Sequence, residues 1–92
     1  MVECRVLIVN RLGLHGRAAA KLVRAASAFR SADRLERAER SSSADAKSIL
    51  SVLMLAASRG TELFITAEGE DEREALDALC RLIGGGFGEG EE

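Results

Sequence analysis

The chain has 92 residues, 13 Lys and Arg against 15 Asp and Glu, a single histidine, two cysteines and a net charge of −2. That length gives one compact unit with a modest core and is too short for two domains, and the near-neutral balance excludes the basic surface that tracks nucleic acid. No apolar run approaches the ~20 residues that span a bilayer, and Met1-Val2-Glu3-Cys4-Arg5 has none of the features of a secretory signal, so a cytoplasmic domain without membrane insertion is expected.

In chain order, Cys4 to Val9 reads as a well-buried strand, because Val6, Leu7, Ile8 and Val9 form a β-branched-rich run bounded by Asn10 and Gly13. From Arg17 to Phe29, Ala19, Leu22, Val23, Ala26 and Phe29 recur at three- and four-residue steps and predict a first helix. Residues 32 to 46 look helical by propensity and by the spacing of Ala32, Leu35 and Ala38. A second helix is predicted from Ser48 to Ala57, where Ile49, Leu50, Val52, Leu53 and Met54 are too dense for one narrow stripe, so part of that surface is expected to face a partner. Gly60 stops it, and Leu63 to Ala67 has the composition of a buried strand. Asp71 with Glu74 reads as a capping box opening a last helix whose apolar face is Ala75, Leu76, Leu79, Leu82 and Ile83. The glycines at 84 to 86 end it, residues 1–87 make the domain, and the acidic tail 88–92 has nothing to bury. Cys4 and Cys80 have the spacing of neither a metal site nor a redox pair, and buried free thiols are expected rather than a disulfide.

The chemistry concentrates in Gly13-Leu14-His15-Gly16-Arg17. A free imidazole titrates near ~6.5 and is mostly a neutral nucleophile at pH 7. The flanking glycines permit a tight turn, and the helix that follows offers unpaired N–H groups and a positive dipole end. An anion on the ring would be held there, with Arg17 adding a fixed fork for phosphate oxygens. By itself an isolated histidine in a glycine turn is a weak signal, more often a surface or capping residue than a phosphorylation site.

Several separated blocks add specificity. Arg5-Val6-Leu7-Ile8-Val9-Asn10, the His15 segment with Ala18-Ala19-Ala20-Lys21-Leu22-Val23, Ala46-Lys47-Ser48-Ile49-Leu50, Gly60-Thr61-Glu62, Ala67-Glu68-Gly69-Glu70-Asp71 and Glu74-Ala75-Leu76-Asp77-Ala78-Leu79 resemble, in order and spacing, the HPr family of phosphocarriers in the phosphoenolpyruvate-dependent sugar phosphotransferase system. The resemblance implies an α+β open-faced sandwich, β-α-β-β-α-β-α, with a four-stranded antiparallel sheet covered on one face by three helices. It therefore replaces the helical reading of residues 32 to 46 with a strand pair turning near Arg40 to Ser42, in which Leu35 is the single large apolar residue.

By the same resemblance His15 takes a phosphoryl group from phosphorylated enzyme I and passes it to sugar-specific enzyme IIA components, with no metal or cofactor, as a carrier rather than an enzyme and as a monomer. Arg17 would balance charge on the transferring group; the alternative is a solvated first-turn arginine. Gly16, Ala20 and Arg24 on the first helix, with Ile49, Leu50 and Leu53, would form the partner surface, with at least one of Ile49 and Leu53 expected to be plain core. Ser48 matches a regulatory phosphorylation site in lineages that have a cognate serine kinase and phosphorylase; its alternative is an N-cap. Two departures stand out, since the family usually has alanine after the histidine and proline after the arginine where this chain has Gly16 and Ala18. They keep open a regulatory paralogue, nitrogen-related or of another control branch, and a structural domain with an unused His15.

Overall fold

The computed structural model describes residues 1–39 and 42–88. Its elements are β1 (Val2–Leu7), α1 (Gly16–Ser27), β2 (Ala32–Arg37), β3 (Ser43–Asp45), α2 (Ile49–Met54), β4 (Glu62–Glu68) and α3 (Glu72–Gly84), followed by a short 3-10 turn at Gly86–Gly88. The strands form one antiparallel sheet in the order β1-β4-β2-β3. Period-2 alternation sends Leu63, Ile65 and Ala67 of β4 inward with Leu35 of β2, against Leu22 and Ala26 of α1, Val52 of α2 and Leu79 and Ile83 of α3. Phe87, on the 3-10 turn after α3, is also fully buried in that core.

β1 is less buried than expected. Its residues alternate, Leu7 and Val9 are exposed, and only Ile8 beyond its end is fully enclosed, because one face of the sheet is left open to water. Ile8 stays tied to the sheet through Thr61 and Gly60, donating to one carbonyl at 3.0 Å and accepting from the other residue's N–H at 2.8 Å. α1 ends at Ser27, before Phe29, whose carbonyl accepts from Lys47 Nζ at 2.8 Å.

Residues 32 to 46 form the strand pair rather than a helix, with Leu35 facing Ala44 on β3 and Ile65 on β4; of the turn expected near Arg40 to Ser42, residues 40 and 41 lie outside the described residues. Leu35 is the only large apolar residue because the inward positions on either side carry charges, Asp33 and Arg37. Asp33 is buried; its Oδ1 accepts from Ser31 Oγ at 2.7 Å, while Oδ2 has no hydrogen-bond partner among the described residues. Burial pushes the Asp33 carboxyl above the usual range, only partly offset by the Ser31 hydroxyl and the charge of Lys47.

Three further expectations need correction. α2 is six residues long, and past Leu55 the chain turns at Ala56 into the left-handed region, with φ of 53°. Asp71 does not cap α3 through a box with Glu74: its carboxylate accepts from the backbone N–H groups of Arg30 and Ser31, both at 2.9 Å, and Glu72 reaches back to the N–H of Gly69 at 3.0 Å. Finally, Cys4 and Cys80 are neither free nor buried. They are half-buried and joined as a disulfide between β1 and α3, with Cα atoms 7.3 Å apart. An inward position on β1 and the sheet-facing side of α3 meet across the two layers, a proximity that 76 residues of separation conceal. Of the acidic tail, Gly88 belongs to the 3-10 turn and residues 89–92 lie outside the described residues.

Candidate functional site

The turn before α1 is built by two close approaches. Gly13 has φ of 65°, and a Cβ there would lie 2.7 Å from both the carbonyl oxygen of Ala57 and the Cα of Ser58, so the backbone passes the segment after α2 where only glycine fits. The N–H of Leu14 donates to the carbonyl of Ala57 at 2.9 Å, and Asn10 Nδ2 donates to the carbonyl of Gly13 at 2.8 Å. Leu14 is buried beneath the turn, which leaves His15 half-exposed above it.

His15 is the N-cap of α1, with extended backbone, and its Nδ1 accepts from the N–H of Arg17 at 3.1 Å. Its own carbonyl accepts from Ala19 at 2.7 Å. Histidine is not among the preferred capping residues, yet here the ring nitrogen takes the place of a Ser or Asp oxygen. The accepting nitrogen must carry the lone pair, so in this geometry the ring proton lies on Nε2 and Nδ1 faces the donor-rich end of the helix. Gly16 and Arg17 are exposed beside it, and nothing lies within 4 Å of where a Gly16 Cβ would point. Acidic side chains are absent from the first turn of α1, so nothing there repels an anion.

Of the other sequence-predicted residues, Ala20 and Arg24 follow Gly16 at four-residue steps along α1, half-buried and exposed. α1 packs beside α2. Ile49, Leu50 and Leu53 are all exposed, 42%, 65% and 39%, which overturns the reading that one of the first and last is core; Val52 fills that role. Met54, 75% exposed, extends the patch; it belongs to the dense apolar run read from the sequence but not to the partner surface that the resemblance implied. Ser48 is the N-cap of α2, its Oγ accepting from Ser51 N–H at 3.2 Å. Among the described residues, no group of three or more His, Cys, Asp or Glu could hold a metal ion, and no helix is long and apolar enough to cross a membrane.

A family model described as the PTS HPr component phosphorylation site matches residues 2–84. The chain belongs to the HPr family. It is 47% identical to the phosphocarrier protein HPr of Cupriavidus necator and 48% identical to that of Pseudomonas aeruginosa, in each case over 99% of this chain and all of the relative. A crystal structure of HPr from Thermoanaerobacter tengcongensis superposes with a TM-score of 0.91 at 41% identity, covering 99% of this chain and all of that one. A phosphocarrier protein NPr from Proteus mirabilis is 42% identical over 92% of this chain and 93% of its own, so it does not displace the HPr assignment. HPr-family membership makes this chain a phosphocarrier of the phosphotransferase system.

Proposed function

We propose that Nδ1 of His15 is the atom that carries the phosphoryl group, received from phosphorylated enzyme I and surrendered to sugar-specific enzyme IIA components. The observation that carries this reading is the bond from Arg17 N–H to Nδ1. That bond marks the direction of the Nδ1 lone pair, toward the start of α1; an N–P bond forming along it displaces the amide, which is then free to donate to a phosphoryl oxygen. The proton stays on Nε2, so the loaded ring is an imidazolium and leaves readily when the next acceptor attacks. The phosphoryl group breaks from the donor as it bonds to His15, no metal enters, and the protein contributes positioning and charge.

In this reading Arg17, exposed at the second position of α1, swings its guanidinium onto the phosphoryl oxygens as charge develops. Gly16, Ala20 and Arg24 with Ile49, Leu50, Leu53 and Met54 form the surface that enzyme I and the IIA components use in turn. Ser48 serves both roles considered above: it caps α2, and phosphorylation of its hydroxyl by a serine kinase would place about two negative charges beside that surface.

Incubation with phosphoenolpyruvate and enzyme I should add one acid-labile, base-stable phosphoryl group, and His15→Ala should abolish it without loss of fold. Labelling of the His15→Ala protein would sink the assignment.

A further inference from the structure

Arg37 stands at the end of β2 in the inward series Asp33, Leu35, Arg37, where its side chain is only 15% exposed. A guanidinium on the core face of a strand has to find acceptors, and this one finds them on another element. Nη1 donates to the carbonyl of Leu55 and to that of Ala56, both at 3.1 Å. On its other edge Nε and Nη2 both donate to Oε2 of Glu39, the Nε bond at 3.0 Å, which fixes the plane of the fork.

These two carbonyls close α2, a six-residue helix with no basic residue of its own in its last turn. They flank Ala56, held at positive φ, and the next carbonyl, that of Ala57, accepts from Leu14 in the His15 turn. Three successive peptide oxygens therefore divide between two clients: Leu55 and Ala56 serve Arg37, and Ala57 serves the acceptor loop. Both bonds leave from Nη1, and the pair of bonds to Glu39 on the other edge fixes the plane in which that nitrogen presents its two hydrogens, a constraint a lysine's freely rotating ammonium lacks.

We propose that Arg37 is a positioning residue for phosphoryl transfer: by clamping the carbonyls of Leu55 and Ala56 it holds the segment on which the His15 turn hangs. The transfer role rests on the His15 reading above; the clamp itself is a property of the unphosphorylated fold. Ala56 is exposed, so its carbonyl has water to turn to when the guanidinium is removed, and the loss falls on alignment more than on global stability.

The test compares Arg37→Ala and Arg37→Lys with the parent chain by amide hydrogen exchange and by steady-state transfer from phosphorylated enzyme I. In Arg37→Ala the Leu14 amide should exchange about tenfold faster while the paired amides of β1 and β4 change less than about twofold. The turnover kcat should fall about tenfold with KM within about twofold, since the exposed docking residues are untouched, and Arg37→Lys should recover only part of both effects. Equal protection of Leu14 in Arg37→Ala, or a uniform rise in exchange across all strands, overturns the clamp. A faster Leu14 with unchanged kcat overturns its role in transfer. If the parent chain itself accepts no phosphoryl group, the His15 reading fails and with it the transfer role, while the exchange arm still decides the clamp.

Discussion

Gly13 faces the carbonyl oxygen of Ala57 so closely that a Cβ on the glycine would sit 2.7 Å from it. The positive φ of Gly13 and this contact act together, so Gly13→Ala has to push the His15 turn off its support. We expect a stability loss of about 1–3 kcal/mol and a slower phosphoryl transfer, read from thermal unfolding and the enzyme I assay. Unchanged melting and rate would mean that the turn moves freely relative to the segment after α2.

Ala18 is the third residue of α1, where no intrahelical partner exists for its N–H. A proline there, as in the HPr pattern, already holds a helical φ, so Ala18→Pro is expected to stabilise the fold by about 0.4–1 kcal/mol through the unfolded state, with transfer retained. Ala18 is completely buried, so a drop in melting temperature would show that the core lacks room for the ring.

Ser48→Asp keeps a capping oxygen for the Ser51 N–H while adding a charge next to Ile49 and Leu50. Stability should therefore hold, and KM for phosphorylated enzyme I should rise about threefold to tenfold. Arg17→Ala should act on kcat instead, because its interaction grows with charge on the transferring group. If Ser48→Asp leaves KM unchanged, capping is the serine's whole role.

The Cys4–Cys80 bridge closes a loop across 76 residues, and in the chain-entropy treatment a loop of that size is worth about 4 kcal/mol. The unreduced protein should be two hydrogens lighter than the reduced one, and reductant should lower its melting temperature by about 10 °C or more. Two titratable thiols without reductant, together with a melting temperature that reductant does not change, would show the sulfurs unpaired in solution.

Acid acts on three carboxylates in opposite senses. Backbone N–H groups, that of Arg30 first, hold the Asp71 carboxyl below its ordinary range, and the Gly69 N–H does the same for Glu72. Both contribute stability above the unfolded carboxylate pKa that disappears as pH falls through their lowered folded values. Asp33 has the reverse sign: its pKa is raised, so protonation relieves the cost of its burial as pH falls through that raised value. The stability of Asp33→Val relative to the parent should therefore shift in the parent's favour on acidification, whereas Asp71→Asn should flatten the parent's loss at lower pH. Chemical denaturation across the acid range measures both, and a constant offset for Asp33→Val would contradict the first.

The parts legible in the sequence were those written locally. The His15 turn, α1 and the apolar face of α3 follow from glycines and three- to four-residue spacing, which a helix reads along its own length. β2 resisted because its inward positions spell Asp33, Leu35, Arg37, a pattern that resembles a surface until Ser31 and the end of α2 are seen to receive the two charges. Asp71 shows the same difficulty from the other side: it stands where a cap is expected, yet its partners lie 40 and 41 residues back along the chain. The cysteine pair and the Arg37 clamp are likewise contacts between elements, and no period within one element encodes them.

The helix cap formed by His15 bears on how freely a load can change hands. An acceptor whose lone pair stood naked would gain the full benefit of the helix end only on loading, and would then cling to what it received. Here the empty ring already accepts a bond from Arg17 N–H, so under the reading proposed above loading would exchange one acceptor of that amide for another. The bond given up by the empty ring offsets part of what the loaded ring would gain from the helix end, which is what an intermediary needs if it is to run in either direction at the bidding of the proteins on either side of it.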